Sequence, residues 1–153
     1  MKERSIAQQT LFRFSYAVGL LRGAETIRDS KDPLSIVGLS VFLLIGFAVE
    51  NAFAGYLIAH QHPRPGDYKS HDLARAMGAC AKTGLVFSPQ TIKFIEFLSP
   101  LQQDFVFRYP EKLEEISPPT IEEACRLTKG ILRDVHDVLK MKGFDISKQS
   151  EIL

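Results

Sequence analysis

The chain has no tryptophan and only two cysteines, Cys80 and Cys125, far apart in the sequence. That spacing matches no zinc-ligand set. Both thiols fall on apolar positions of expected helices, so they read as reduced core residues of a cytoplasmic protein rather than as a disulfide. Charge of one sign is also missing. Nineteen Lys and Arg against eighteen Asp and Glu leave a formal net charge of +1, which argues against a broad basic nucleic-acid face. No run alternates apolar and polar residues between turn signals, so no strand is expected. A phosphate-cradling glycine loop, a zinc cysteine cluster and a nucleophile elbow are all absent from the sequence. The chain opens on the charged run Lys2-Glu3-Arg4 and the following segment is mixed, so no secretory signal is expected.

What the chain does have is one long apolar run. Residues 34–49 carry no charge, then Glu50 and Asn51 intervene, and the run resumes to Ala59. It is long enough to span a bilayer. Glu50 would cost roughly 2–3 kcal/mol there on insertion scales, and the other helices are amphipathic, so a central helix covered by its neighbours is the better reading, with no membrane. An ionised Glu on such a helix is expensive unless it is paired. The sequence therefore implies a partner for Glu50, and a cationic one is expected.

The 153 residues read as one all-α bundle of about five helices, spanning 1–143, with 144–153 as a C-terminal tail. Ala7, Leu11, Phe14, Val18 and Leu21 form one apolar stripe and place a first helix over about 4–29. The second runs over about 33–60, opened by Pro33. Its glycines and alanines keep parts of its surface thin for close packing. A loop with two prolines and a glycine follows at 60–67. Ser70 is the expected N-cap of a third helix that Gly84 stops. Ser88-Pro89 opens a fourth, expected to end near Ser99-Pro100. A short helical piece or extended loop leads to Pro119. Thr120 and Glu123 read as a capping box for the last helix, whose wide apolar face runs from Ile121 to Leu139 and which Gly143 stops.

Arg108 is the strongest candidate partner for Glu50. It lies among aromatic and aliphatic residues in 105–110, and a guanidinium suits a carboxylate in bidentate fashion. His71 and Asp72 come next, expected in the first turn of the third helix. These residues either lock helices and a loop together or line a ligand cleft. His60, His62 and the His71-Asp72 pair, with Asp104, Asp134 or Asp137 further on, superficially match the metal-dependent HD phosphohydrolases. His60 and His62 flank a proline-rich turn, and His62 stands closer to His71-Asp72 than that metal set usually allows, so they read as solvated loop histidines and no metal is assigned.

Three motifs carry a wider resemblance. They are Phe47-Ala48-Val49-Glu50-Asn51 on the long helix, Ser70-His71-Asp72-Leu73 opening the next, and Arg108-Tyr109-Pro110 ahead of the last. In this order the chain resembles the HEPN family (higher eukaryotes and prokaryotes nucleotide-binding), all-α bundles, over roughly residues 10–140. It departs where many members follow the Glu-Asn with a Leu-Lys pair, because Ala52-Phe53-Ala54 stands there. The resemblance implies a homodimer and a site of Glu50, Asn51, His71, Asp72, Arg108 and Tyr109. It implies no cofactor. Family members divide in two. Some are binding or scaffold modules that take a nucleotide, another anionic ligand or a protein partner. Others are metal-independent ribonucleases that carry an Arg, four to six residues and then a His, usually near a late helix. In those the Arg steadies phosphate charge and the His moves a proton while the RNA 2′-OH attacks. Arg64 and His71 fit that spacing but lie in the loop before the third helix. Arg133 and His136 lie on the last helix but only two residues apart. The binding module is therefore the expected function, with the ribonuclease as the alternative and His71, Arg108 and Arg64 as its catalytic candidates.

Overall fold

The structure is a computed structural model that describes residues 4–104 and 118–153. Among these residues it is all-helical, with no strand. Helix α1 spans Ile6–Arg28 and α2 spans Leu34–Ala59. A short 3-10 turn at Pro65–Asp67 leads to α3 (Leu73–Lys82) and α4 (Pro89–Gln103). Then come α5 (Ile121–Met141) and a last turn of helix, α6 (Ser147–Ser150).

The apolar run forms the centre of the bundle. α2 packs against α1, α3, α4 and α5. α1 and α2 form an antiparallel hairpin, and Gly55 lets their backbones approach. A Cβ at Gly55 would touch the Phe14 amide nitrogen and the Thr10 carbonyl, each at 3.5 Å. Phe14, Leu21, Ile45, Phe53, Leu57 and Ile131 are buried in one continuous core. Burying side chains of this kind contributes roughly 1.5–3 kcal/mol each. The stretch Ile36–Ala59 is long and apolar enough to cross a membrane, and half of its most apolar window is buried against the other helices. Cys80 and Cys125 are free and buried, and burial pushes both thiols up.

Local chemistry sets the ends. Ser5 caps α1 through a reciprocal pair with Gln8, whose amide donates to Ser5 Oγ at 3.2 Å while Gln8 Oε1 accepts the Ser5 amide at 3.0 Å. The expected stop glycines hold the left-handed region, Gly84 at φ +111° and Gly143 at φ +84°.

Several boundaries differ from the sequence expectation. α3 is capped by Asp72, not Ser70, and so starts after His71. Ser70 Oγ is buried with no hydrogen-bond partner among the described residues. α4 does not stop at Ser99-Pro100 but continues to Gln103 with Pro100 inside it. Proline removes the amide that would have served the Glu96 carbonyl. Glu96 and Pro100 are both exposed, so water can serve that carbonyl, while buried Ser99, Leu101 and Gln102 hold the helix on. The C-terminal tail, residues 144–153, packs back onto α5. Ile146 is buried, and Arg133 donates twice to the Leu153 carbonyl, at 3.1 and 2.6 Å. His136 Nε2 lies 2.6 Å from Ser150 Oγ.

Only half of the expected capping box on α5 forms. Thr120 Oγ1 accepts the Glu123 amide at 3.2 Å, but the Glu123 carboxylate turns to Arg126 at 2.6 and 2.8 Å. Thr120→Ala is therefore expected to cost about 1 kcal/mol in urea unfolding. Glu123→Ala, which loses only an exposed i,i+3 pair, is expected to cost less than about 0.5 kcal/mol.

Candidate functional site

Glu50 is the focus of the polar interior. Its side chain is only 12% exposed, and one oxygen, Oε2, receives two donors. His71 Nδ1 lies at 2.9 Å and Gln102 Nε2 at 3.1 Å. A carboxylate only accepts, so the imidazole carries its proton on Nδ1 in this bond. The contacts join three parts of the chain: α2, the residue ahead of α3, and α4. The expectation that Glu50 needs a partner is met among the described residues by a histidine and an amide. Arg108 and Tyr109, and with them the expected Glu50–Arg108 pair, lie outside the described residues, as do Phe105 and Phe107.

Two local features make the junction possible. His71 sits at φ +57°, a left-handed conformation uncommon for any residue but glycine. Such backbone is held only where its surroundings over-determine it, and Glu50 supplies one such restraint. Gly46 lies one turn ahead of Glu50. A Cβ there would run into the Gln102 carboxamide, reaching Cδ at 3.0 Å and Oε1 closer still. The absent side chain at Gly46 is thus the space in which Gln102 reaches Glu50.

The other expected site residues are placed elsewhere. Asn51 belongs to the α1–α2 contact. Its Oδ1 accepts from Arg13 Nη1 at 2.8 Å, and its Nδ2 donates to the Phe47 carbonyl at 2.9 Å. Asp72 is an N-cap, accepting the Arg75 amide at 3.0 Å and the Ser99 hydroxyl at 3.1 Å. Ser99 Oγ in turn accepts the Ala74 amide at 2.9 Å. The first-turn amides of Ala74 and Arg75 are thereby satisfied from within the protein. Arg64 is exposed, and its side chain has no partner among the described residues.

A second polar cluster closes the loop between α2 and α3. Asp67 is buried, and each of its oxygens has a partner. His62 Nε2 donates to Oδ2 at 2.7 Å and Arg75 Nε to Oδ1 at 2.8 Å. His62 and then Arg75 hold the Asp67 carboxyl below the usual carboxylate range. The folded state therefore binds this proton less readily than the unfolded chain. The stability it contributes is full above about pH 4 and is lost as pH falls through the depressed native value. Asp67→Asn is expected to lower the urea midpoint at neutral pH, with the gap to the parent closing only below the usual carboxylate range. A gap constant down to strong acid would exclude this role.

Among the described residues no three His, Cys, Asp or Glu side chains gather as a metal ion requires. His60 Nδ1 donates to the Tyr56 carbonyl at 2.8 Å, His62 turns to Asp67 and His71 to Glu50. Asp72, meanwhile, faces Ser99.

Gln102, Arg13, Ser99 and Asp67 were not visible as site-forming residues in the sequence. Gly46 was the one usable signal, since a glycine one turn from a buried carboxylate leaves room for a donor. Comparison with protein-family models, curated proteins and solved structures gives no match.

Proposed function

We propose that the chain is a HEPN-like, non-catalytic binding module, acting as a homodimer in the cytoplasm and taking a nucleotide or another anionic ligand. The observation that carries this reading is the Glu50 node. A nearly enclosed carboxylate spends one oxygen on both His71 and Gln102, and so locks α2 to the loop before α3 and to α4. Such a lock explains a Glu and a His at these positions without turnover. Arg64, exposed and without a partner among the described residues, and Arg108 are the cations offered to the anion. The order of the three motifs along the chain and the all-helical architecture support the family reading.

One observation favours the ribonuclease alternative. His71 is held through Nδ1 by a carboxylate while its side chain stays 38% exposed, an arrangement suited to moving a proton. In that case the RNA 2′-OH would attack the adjacent phosphate while His71 Nε2 took its proton, the P–O5′ bond would break, and the departing 5′-oxygen would be protonated by water, leaving a 2′,3′-cyclic phosphate end and a 5′-hydroxyl end.

The test is incubation of the purified protein with a mixed RNA pool in chelator, beside folded His71→Ala, Arg64→Ala and Arg108→Ala variants. Titration with ATP and with a short RNA follows. No cleavage, with saturable binding weakened by either arginine variant, is expected. Cyclic-phosphate ends that disappear in His71→Ala would replace the binding reading with the nuclease. Neither cleavage nor binding would overturn the anionic ligand and leave a protein partner.

A further inference from the structure

His136 of α5 stands between a carboxylate and a hydroxyl. Its Nδ1 lies 3.0 Å from Asp137 Oδ1 and its Nε2 lies 2.6 Å from Ser150 Oγ. The protons follow from the donors present. A carboxylate only accepts, so Nδ1 carries a proton and donates it to Asp137. In the neutral ring Nε2 is then an acceptor, and the Ser150 hydroxyl fills the short contact. The Ile146 carbonyl, 3.0 Å from the same hydroxyl, already takes the Ser150 amide at 3.0 Å and does not need that proton. Both side chains are held in place. His136 is 13% exposed and lies against the Phe14 ring, centroids 6.3 Å apart. Ser150 stays exposed on a tail with three anchors. These are buried Ile146, Arg133 on the Leu153 carbonyl, and Gln149 Nε2, which donates to Ser15 Oγ of α1 at 2.5 Å.

A hydroxyl that donates to one nitrogen of an imidazole, while a carboxylate orients the other, is the arrangement that activates a serine as a nucleophile. It is recognised by geometry and roles, not by position in a chain. We propose that Ser150 is an acyl-acceptor serine that takes the acyl group of a small activated carboxylic ester. His136 is its general base, and Asp137 positions the imidazole. Ser150 Oγ attacks the carbonyl carbon as its proton passes to His136 Nε2. The tetrahedral adduct then collapses, the bond from carbon to the leaving oxygen breaks, and His136 returns the proton to that oxygen. The products are an acyl ester on Ser150 and a free alcohol. The surface position sets the substrate class. Ser150 is exposed and the Asp137 side chain is 74% exposed, so the charge developing on the carbonyl oxygen is left to water, and the ester must carry a good leaving group. The site shares no residue with the Glu50 node and does not rest on the anionic-ligand reading.

The test is exposure of the full chain to p-nitrophenyl acetate, with acetylation read residue by residue from peptide masses. Ser147 is the internal reference. It is exposed on the same turn of helix, and its hydroxyl donates to Asp145 at 2.9 Å rather than to an imidazole. Ser150 is expected to gain acetyl at least about tenfold faster than Ser147. His136→Gln should cut that rate at least about tenfold, and Asp137→Asn about threefold, with Asp137→Glu recovering part of the loss. Asp137 is exposed, so its two variants keep the fold and decide the matter should His136→Gln lower the melting temperature. A clasp that only holds the tail would give Ser150 no preference in this reagent. Ser150 labelled no faster than Ser147, or labelled at a rate that Asp137→Asn leaves unchanged, would overturn the site.

Discussion

Glu50→Ala is expected to destabilise the protein by about 3 kcal/mol, seen as a lower urea midpoint at unchanged slope. The two donors it leaves behind are not equivalent. His71 is partly exposed and can turn to water. Gln102 is 2% exposed, so its amide loses a charged acceptor and finds no replacement in the core. Most of the loss should therefore come through Gln102 rather than through the imidazole. Glu50→Gln retains the shape and one acceptor oxygen, and should cost about 1 kcal/mol. If Glu50→Ala stayed within about 0.5 kcal/mol of the parent, like an ordinary surface substitution, the node would not be a lock.

Gly46→Ala tests the same junction from the other side. In most exposed helix positions this change would stabilise by up to about 1 kcal/mol through helix propensity. Here the new Cβ takes the space of the Gln102 carboxamide, which must move away from Glu50. A net loss of about 1.5 kcal/mol is expected, because the displaced bond has a charged partner. The sign should reverse where Gln102 is already gone. In a Gln102→Ala background, Gly46→Ala should be neutral or stabilising by up to about 1 kcal/mol. A double-mutant cycle by urea unfolding reads the coupling directly. Equal effects in both backgrounds would show that Gly46 does not serve Gln102.

Much of the helix order was legible because apolar periodicity and caps are local. Ser88-Pro89, Thr120, Gly84 and Gly143 all sit where their chemistry predicts. Pro100 misled for an equally physical reason. A proline usually ends a helix, but buried neighbours on either side of it kept α4 intact. Ser70 and Asp72 are both good caps, and only the left-handed turn at His71 decides between them. The candidate site was legible at Glu50, whose cost in an apolar helix is written in the sequence, and in the naming of His71 near it. Gln102 was not, since it lies 52 residues from Glu50 and nothing in its own neighbourhood announces an inward turn. The separation of Asn51 from Glu50 likewise depends on helix phase. Adjacent residues on α2 face different helices, and Asn51 meets Arg13 of α1.

The first turn of α3 has a consequence for hydrogen exchange. Helix ends ordinarily fray on their own, and their amides exchange without disturbing the rest of the molecule. The Ala74 amide is held by Ser99 of α4, and the same hydroxyl steadies Asp72, which holds Arg75. Deuterium reaches the Ala74 amide when its bond to α4 opens, whereas the Arg75 amide, held by the cap of its own helix, can also exchange by local fraying. Protection at Ala74 should therefore follow that of α4 and exceed that at Arg75, so that one amide at a helix end reports the opening of an interhelical seam.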